Sequence, residues 1–303
     1  MILSQIELHI ENIRSNLLLY DERNFDARTD AIDFLEFHII CQIDSLRSTE
    51  SDQDRLAELY HQAEEIKSQL EEIDTKLFQR LQQEISQGKF RGKEFEALVR
   101  AYVNFESNSD EEGYDNLDIF INRLLSLQYM PEQSTALEPE MVFYQKTPAR
   151  IVFELAKEGG FKKEDIFFDI GSGLGQTVML VNLLADIRTV GVEFDPAFCK
   201  YSEECAAMLG LQNVAFINTD AREADYSLGT VFFMYTPFKG KMLGDVLEVL
   251  RKESLQRKIR VITYGPCTTD VAGQDWLHLT SGNDFKPGRN AEFISASHQK
   301  GLR

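Results

Sequence analysis

The sequence predicts an α/β protein in two parts: an all-helical region over residues 1–135, then residues 136–303 folded around a seven-stranded sheet with helices on both faces. Three observations carry this. Apolar residues in the first part recur at steps of three and four, the period of a helix face. From Asp165 to Glu193 the chain reads strand, glycine-rich turn, helix, strand. Beyond Glu193, short apolar runs alternate with helical stretches, the pattern of a layered sheet.

In the first part, Ile2, Ile6, Ile10, Ile13, Leu17 and Tyr20 share one helical face, and Ala31, Leu35, Ile39 and Ile43 repeat the pattern over residues 26–46. From Asp52 to Gln87 it tightens into a heptad seam of Leu56, Leu59, Ala63, Ile66, Leu70, Ile73 and Leu77, with Gln and Glu outside and Gly88 at the end. Two amphipathic helices follow, about Lys93–Asn104 and Asp115–Gln128, separated by the polar turn Ser107–Gly113 and closed by Pro131. His9, His38 and His61 read as solvated or packed, and no catalytic constellation is present. The seam leaves three options: a homodimer, an intramolecular hairpin, or a clamp on the second part.

Charge separates the two parts further. Residues 1–135 carry 28 acidic and 13 basic side chains, whereas residues 136–303 carry 22 and 19. So acidic a region argues against non-specific nucleic-acid binding, permits a basic partner, and favours solubility. Glu7 and Glu11 interrupt the first apolar residues, so these do not read as a signal peptide. No apolar run is long enough to span a membrane. Cys41, Cys199, Cys205 and Cys267 form no CxxC pair and the five histidines no ligand cluster, so the expectation is reduced thiols, a cytoplasmic protein and no metal.

The second part is organised around Asp165–Glu193. Ile166–Ile170 is a short apolar run, as a strand buried on both faces would be. Gly171, Ser172, Gly173, Leu174 and Gly175 form the turn, Gln176–Ala185 a packed helix, and Thr189–Glu193 the next strand. Without a Cβ the glycines can take positive φ and let a ligand lie against the backbone, with helix-start amides pointing at it. Glu193 ends the second strand, where a carboxylate can accept both ribose hydroxyls of a nucleoside. Asp169 suits an α-ammonium group better than a pyrophosphate, whose negative charge it would oppose. The spacing G-x-G-x-G agrees, since a dinucleotide site has G-x-G-x-x-G. The ligand these features describe is a nucleoside carrying an amino acid, S-adenosylmethionine.

Around this unit, Leu137–Tyr144 links the two parts and a helix spans Pro148–Lys157, with Pro148 at its first turn. Asp195-Pro196 caps a helix through Met208. Val214–Asn218, Thr230–Tyr235 and Lys258–Thr263 are strands three to five, with a helix over Lys239–Glu253. Trp276–Thr280 and Ala291–Ala296 form a closing pair across the loop Ser281–Asn290. This is the architecture of Rossmann-like class I methyltransferases. In it, Asp220 can accept the adenine amine, the Ala221 N–H faces a ring nitrogen, and Phe194 covers a face of the base. Tyr235-Thr236-Pro237-Phe238 falls beside the transferable methyl: Tyr235 to align the acceptor, Phe238 to wall it, and Pro237 to push Thr236 towards an extended backbone.

The stretches EPEMVFYQKTPARIVFEL, FFDIGSGLGQ, GVEFD, NTDA and FFMYTPF, within residues 138–265, resemble the disruptor-of-telomeric-silencing family of histone lysine methyltransferases. The resemblance implies that Tyr144 and Thr147 lie on the loop folding over the methionine part of the cofactor. It puts Asp169, Gly171 and Gln176 at the glycine-loop site and Glu193 on the ribose, and Ser172 and Gly173 of the same turn are expected to meet the cofactor with them. Three features depart from the family. Met234-Tyr235-Thr236-Pro237-Phe238 replaces its Asn-Asn-Phe-Ala-Phe, Lys146 replaces an acidic residue, and the ending SASHQKGLR is no basic DNA-binding extension. The expectation is therefore a methyltransferase acting on an unidentified protein, RNA or small-molecule acceptor. The alternatives are a nucleoside-binding scaffold without turnover and, third, a dehydrogenase.

Overall fold

A computed structural model describes residues 2–47, 52–105, 113–280 and 288–296. Most of the turn Ser107–Gly113, most of the loop Ser281–Asn290 and the chain after Ala296 lie outside them. The chain forms two compact units, residues 1–83 with 97–105, and residues 84–96 with 106–303. Packing thus divides it otherwise than at residue 135.

The first unit is helical. Helix α1 (Ile2–Ser15) is followed by a 3₁₀ turn (Leu17–Tyr20), α2 (Phe25–Asp33), a π-helical segment (Phe34–Ile40), α3 (Cys41–Leu46) and the long α4 (Gln53–Ser86). The face expected to run unbroken to Tyr20 stops at Asn16, because its side chain accepts the Leu18 N–H and caps the new turn. Leu56, Leu59, Ala63, Ile66 and Leu70 of the seam are buried against Ile6, Ile10, Leu35, Ile39 and Ile43. The seam therefore covers its apolar side within one chain. Beside this core, Arg28 and Asp74 are fully buried and paired at 2.6 Å. The remaining guanidinium nitrogens donate to the carbonyls of Leu19, Asp21 and Glu22.

Helix α5 (Lys93–Arg100) precedes α6 (Asn116–Leu124), which belongs to the second unit. The cause is Asp118, buried at 3 % exposure, which accepts the Ala149 N–H at 2.8 Å and so caps α7 (Ala149–Glu158). Pro148 is that helix's N-cap and lies outside its first turn. Then follow β1 (Ile166–Ile170), α8 (Gln176–Ala185), β2 (Arg188–Glu193), α9 (Pro196–Met208), β3 (Val214–Asn218), β4 (Val231–Met234), α10 (Gly240–Ser254) and β5 (Arg260–Thr263). Helix α11 (Cys267–Ala272), which the sequence pattern did not predict, leads to β6 (Leu277–Leu279) and β7 (Ala291–Ser295).

The sheet order is β3-β2-β1-β4-β5-β7-β6. All neighbours are parallel except β7, which runs antiparallel to both β5 and β6. This is the predicted Rossmann-like methyltransferase sheet. The order reverses direction between β1 and β4, and in such sheets the crevice at the carboxyl ends of those strands is where ligands bind. Among the described residues no helix is long and apolar enough to cross a membrane, and no three His, Cys, Asp or Glu side chains are grouped to hold a metal. The four cysteines are free thiols, three of them buried.

Candidate functional site

A cavity of about 230 Å³ opens at that crevice, within the second unit. Its lining includes Tyr144, Gly171, Gly173, Glu193, Phe194, Asp220, Ala221, Tyr235 and Phe238, nine of the residues singled out from the sequence. Thr147, Asp169, Ser172 and Gln176 lie behind that lining. All four are buried. Gln176 donates to the Thr147 carbonyl at 2.7 Å, holding the turn against the segment before α7.

The glycine turn is built as its sequence demands, with φ of +80° at Gly171, +54° at Gly173 and +75° at Gly175. What occupies the space differs from expectation. A Cβ on Gly171 would lie 2.4 Å from Pro237, and one on Gly173 would lie 2.0 Å from the Tyr144 ring. The missing side chains thus make room for this chain's own Pro237 and Tyr144, which close over the turn where a ligand was expected. The amides of Gly171 and Ser172 donate to the Val192 carbonyl, tying the turn to β2.

Glu193 is buried at the end of β2. One of its carboxylate oxygens accepts the Gly173 N–H at 2.7 Å and the other the Asp195 N–H at 2.8 Å. The Phe194 amide also faces the carboxylate, and part of its acceptor capacity stays free for a further donor. Burial raises its pKa, while the Asp195 and Gly173 donors oppose that rise. Asp195, read from sequence as a helix cap, caps α9 through Ala197 and Phe198 and also accepts the Ser134 and Thr135 amides. It thereby anchors a strap, residues 133–145, along the cavity. Glu140 pins the strap again by accepting the Lys241 and Met242 amides at the start of α10. No sequence spacing pointed to that anchor.

Asp220 departs from its expected role as a free acceptor. Arg222 engages both its carboxylate oxygens through Nε and reaches Glu138 of the strap at 2.9 Å. The Arg222 side-chain bonds lower the Asp220 pKa, so the carboxylate is charged but already committed.

Asp169 is the opposite case. It is 4 % exposed and has no hydrogen-bond donor among the described residues. Burial first, then the Glu193 charge, pushes its carboxyl up to about 8. The neighbouring Gln176 Oε1 and Ser172 Oγ are buried without partners as well. A raised folded-state pKa means the folded chain holds a proton that the unfolded chain releases near pH 4, so this group's stabilisation falls as pH rises from about 4 and is gone above about 8. Thermal melts of the ligand-free protein between pH 6 and 8 should therefore fall, and Asp169→Asn should flatten that slope. An unchanged slope in the variant would remove Asp169 as its source.

The loop after β4 corrects one expectation. Thr236 is left-handed, with φ of +42°, although it precedes proline and was expected to be extended. Phe238 is 5 % exposed and belongs to the core with Met242 and Val246, and it also lines the cavity as expected. Tyr235 is half-buried, pairs with the Tyr264 ring at 4.9 Å, and has its phenol pushed up to about 12, chiefly by burial. Lys146 points away, its ammonium bonded to Asn122 and the Leu127 carbonyl, with burial lowering its pKa.

Residues 140–229 match the family model described as histone methylation protein DOT1. The match covers much of the stretch that carries the motif resemblance. Among solved structures, an RNA methyltransferase from Salinibacter ruber in complex with S-adenosyl-L-homocysteine is 20% identical, with 50% of this chain and 92% of that one covered and a TM-score of 0.35. A SAM-dependent methyltransferase from Aquifex aeolicus is 18% identical over 49% of this chain and 93% of that one, with a TM-score of 0.38. A ribosomal protein L11 methylase from Lactobacillus delbrueckii subsp. bulgaricus is 17% identical over 50% and 79%, with a TM-score of 0.37. The fold assignment rests on the strand order itself.

Proposed function

We propose that this chain is an S-adenosylmethionine-dependent methyltransferase. The observation that carries the reading is Glu193: a buried carboxylate fixed by two backbone amides, with spare lone pairs, on the wall of a cavity at the sheet's switch point. The residues around it fit such a cofactor. Glu193 would hold the ribose hydroxyls, and Phe194 with Ala221 would flank the base. Asp169, behind the turn, supplies a buried carboxylate without a donor, suited to an ammonium group once ionised. The match to a histone methylation family supports the same reading.

When bound, S-adenosylmethionine supplies a methyl group on a sulfonium sulfur. The chain's part is to hold an acceptor in line and exclude water. Positioning of this kind can contribute roughly 7–11 kcal/mol, so little acid–base chemistry is required. Tyr235, on the cavity wall, is the side chain placed to orient the acceptor. Tyr235→Phe should keep S-adenosylhomocysteine affinity yet slow transfer about fivefold to tenfold, the worth of one neutral hydrogen bond. Loss of affinity in parallel with rate would move Tyr235 into the cofactor site.

The acceptor is a protein, an RNA or a small molecule. Incubation with methyl-labelled S-adenosylmethionine and fractionated cell lysate tests the proposal, with label retained in one fraction as the expected result. Cofactor binding without label in any fraction would favour the scaffold reading.

A further inference from the structure

We propose that Thr236 is a positioning residue for methyl transfer, its hydroxyl holding the turn that presents Tyr235 to the cavity. The inference rests on the methyltransferase reading above. At +42° Thr236 is the only β-branched residue among the described ones with positive φ. Branching at Cβ makes that backbone costly, and such residues persist where the surroundings over-determine them, often at functional sites. Glycine or asparagine would take the turn more easily. What threonine adds is a hydroxyl whose bonds reach outside the loop.

The Thr236 Oγ1 accepts the Cys267 N–H at 3.2 Å, at the start of α11, and donates to the Tyr264 carbonyl at 3.3 Å. Tyr264 in turn pairs its ring with Tyr235 and donates its N–H to the Met234 carbonyl. The hydroxyl after Tyr235 and the backbone bond before it therefore both tie the end of β4 to Tyr264, the residue that follows β5. On the other side of Thr236, Pro237 lies over Gly171, and its carbonyl accepts the Val142 N–H of the strap. Thr236, Tyr235 and Pro237 all line the cavity. The left-handed turn is what lets Tyr235 and Pro237 reach it together. Released from its two bonds, Thr236 would relax towards the extended backbone that proline favours in its predecessor.

The test uses the full chain with Thr236→Val, which keeps the shape and removes the hydroxyl, Thr236→Ser, which keeps the hydroxyl, and Thr236→Gly, which removes the hydroxyl and the backbone cost together. Three quantities are read: S-adenosylhomocysteine affinity by calorimetry, kcat and KM for label transfer to the lysate fraction, and the ¹⁹F signal of 3-fluorotyrosine placed at position 235. Thr236→Val and Thr236→Gly should bind S-adenosylhomocysteine within about threefold of the parent and lose about tenfold in kcat with little change in KM, the pattern of an interaction made in transfer. Their ¹⁹F signal should move. Thr236→Ser should bring rate and signal back to within about threefold of the parent. Unaltered kcat and an unmoved signal in Thr236→Val would overturn the proposal, as would a Thr236→Ser variant as slow as Thr236→Val. Should the parent itself transfer no label, the methyltransferase reading fails, while an unmoved ¹⁹F signal still refutes the role of the hydroxyl.

Discussion

Glu193→Ala is expected to weaken S-adenosylmethionine binding roughly tenfold to a hundredfold or more. Hydrogen bonds to a charged group are worth about 1.5–3 kcal/mol each, and every 1.4 kcal/mol is a factor of ten. On the proposed assignment, two ribose hydroxyls lose their acceptor. The same substitution also strips the Gly173 and Asp195 amides of theirs, loosening the glycine turn and the start of α9 together. Glu193→Gln separates the two effects. Its amide oxygen can still take one backbone N–H, while its NH₂ group faces the other donor. The Gln variant should therefore recover part of the melting temperature lost in Glu193→Ala and little of the affinity. Calorimetric titration beside a thermal melt reads both, and unchanged affinity in a folded Glu193→Ala protein would defeat the ribose assignment.

Asp74→Ala is expected to destabilise the first unit by about 3–5 kcal/mol, the cost of leaving a buried charge without its partner. Arg28 and Asp74 are both fully buried, so no water can replace the lost carboxylate. Arg28→Ala should be of similar severity, because it also abandons the carbonyls of Leu19, Asp21 and Glu22. Replacing both partners by apolar residues of similar volume should cost much less than either single change, since no charge is then stranded. Chemical denaturation should show an early transition from the first unit in the single variants. A single variant within about 0.5 kcal/mol of the parent would mean that the pair is solvated in solution.

That ion pair shows where sequence reading runs out. Arg28 and Asp74 are 46 positions apart, and neither breaks the heptad or helical pattern around it. The seam itself was legible, because a three-and-four repeat has to be buried somewhere, and Leu56 to Leu70 are buried where the repeat places them. The strands were legible for a similar reason: Ile166–Ile170 and Val214–Asn218 coincide with β1 and β3 to the residue. Helix α11 was missed because six residues are too few to show a period.

At the site, backbone chemistry was easier to read than side-chain pairing. Positive φ at Gly171, Gly173 and Gly175 follows from residue type. That Pro237 and Tyr144 fill the space above two of them depends on contacts across the sheet. Asp195 was recognised as a helix cap and Asp220 was read as a free acceptor, but their further partners, Ser134 and Arg222 with Glu138, come from the path of the strap. Thr236 is the clearest case. The local rule for a residue before proline says extended, and two hydrogen bonds to the end of β5 and the start of α11 override it.

The central claim, that the cavity receives a nucleoside carrying an amino acid, is tested most directly by calorimetric titration of the full chain at pH 7.5 with S-adenosylhomocysteine and, separately, with NAD. Saturable one-to-one binding of S-adenosylhomocysteine is expected, with no heat above dilution with NAD. Binding of NAD in place of S-adenosylhomocysteine, or of neither, would contradict it.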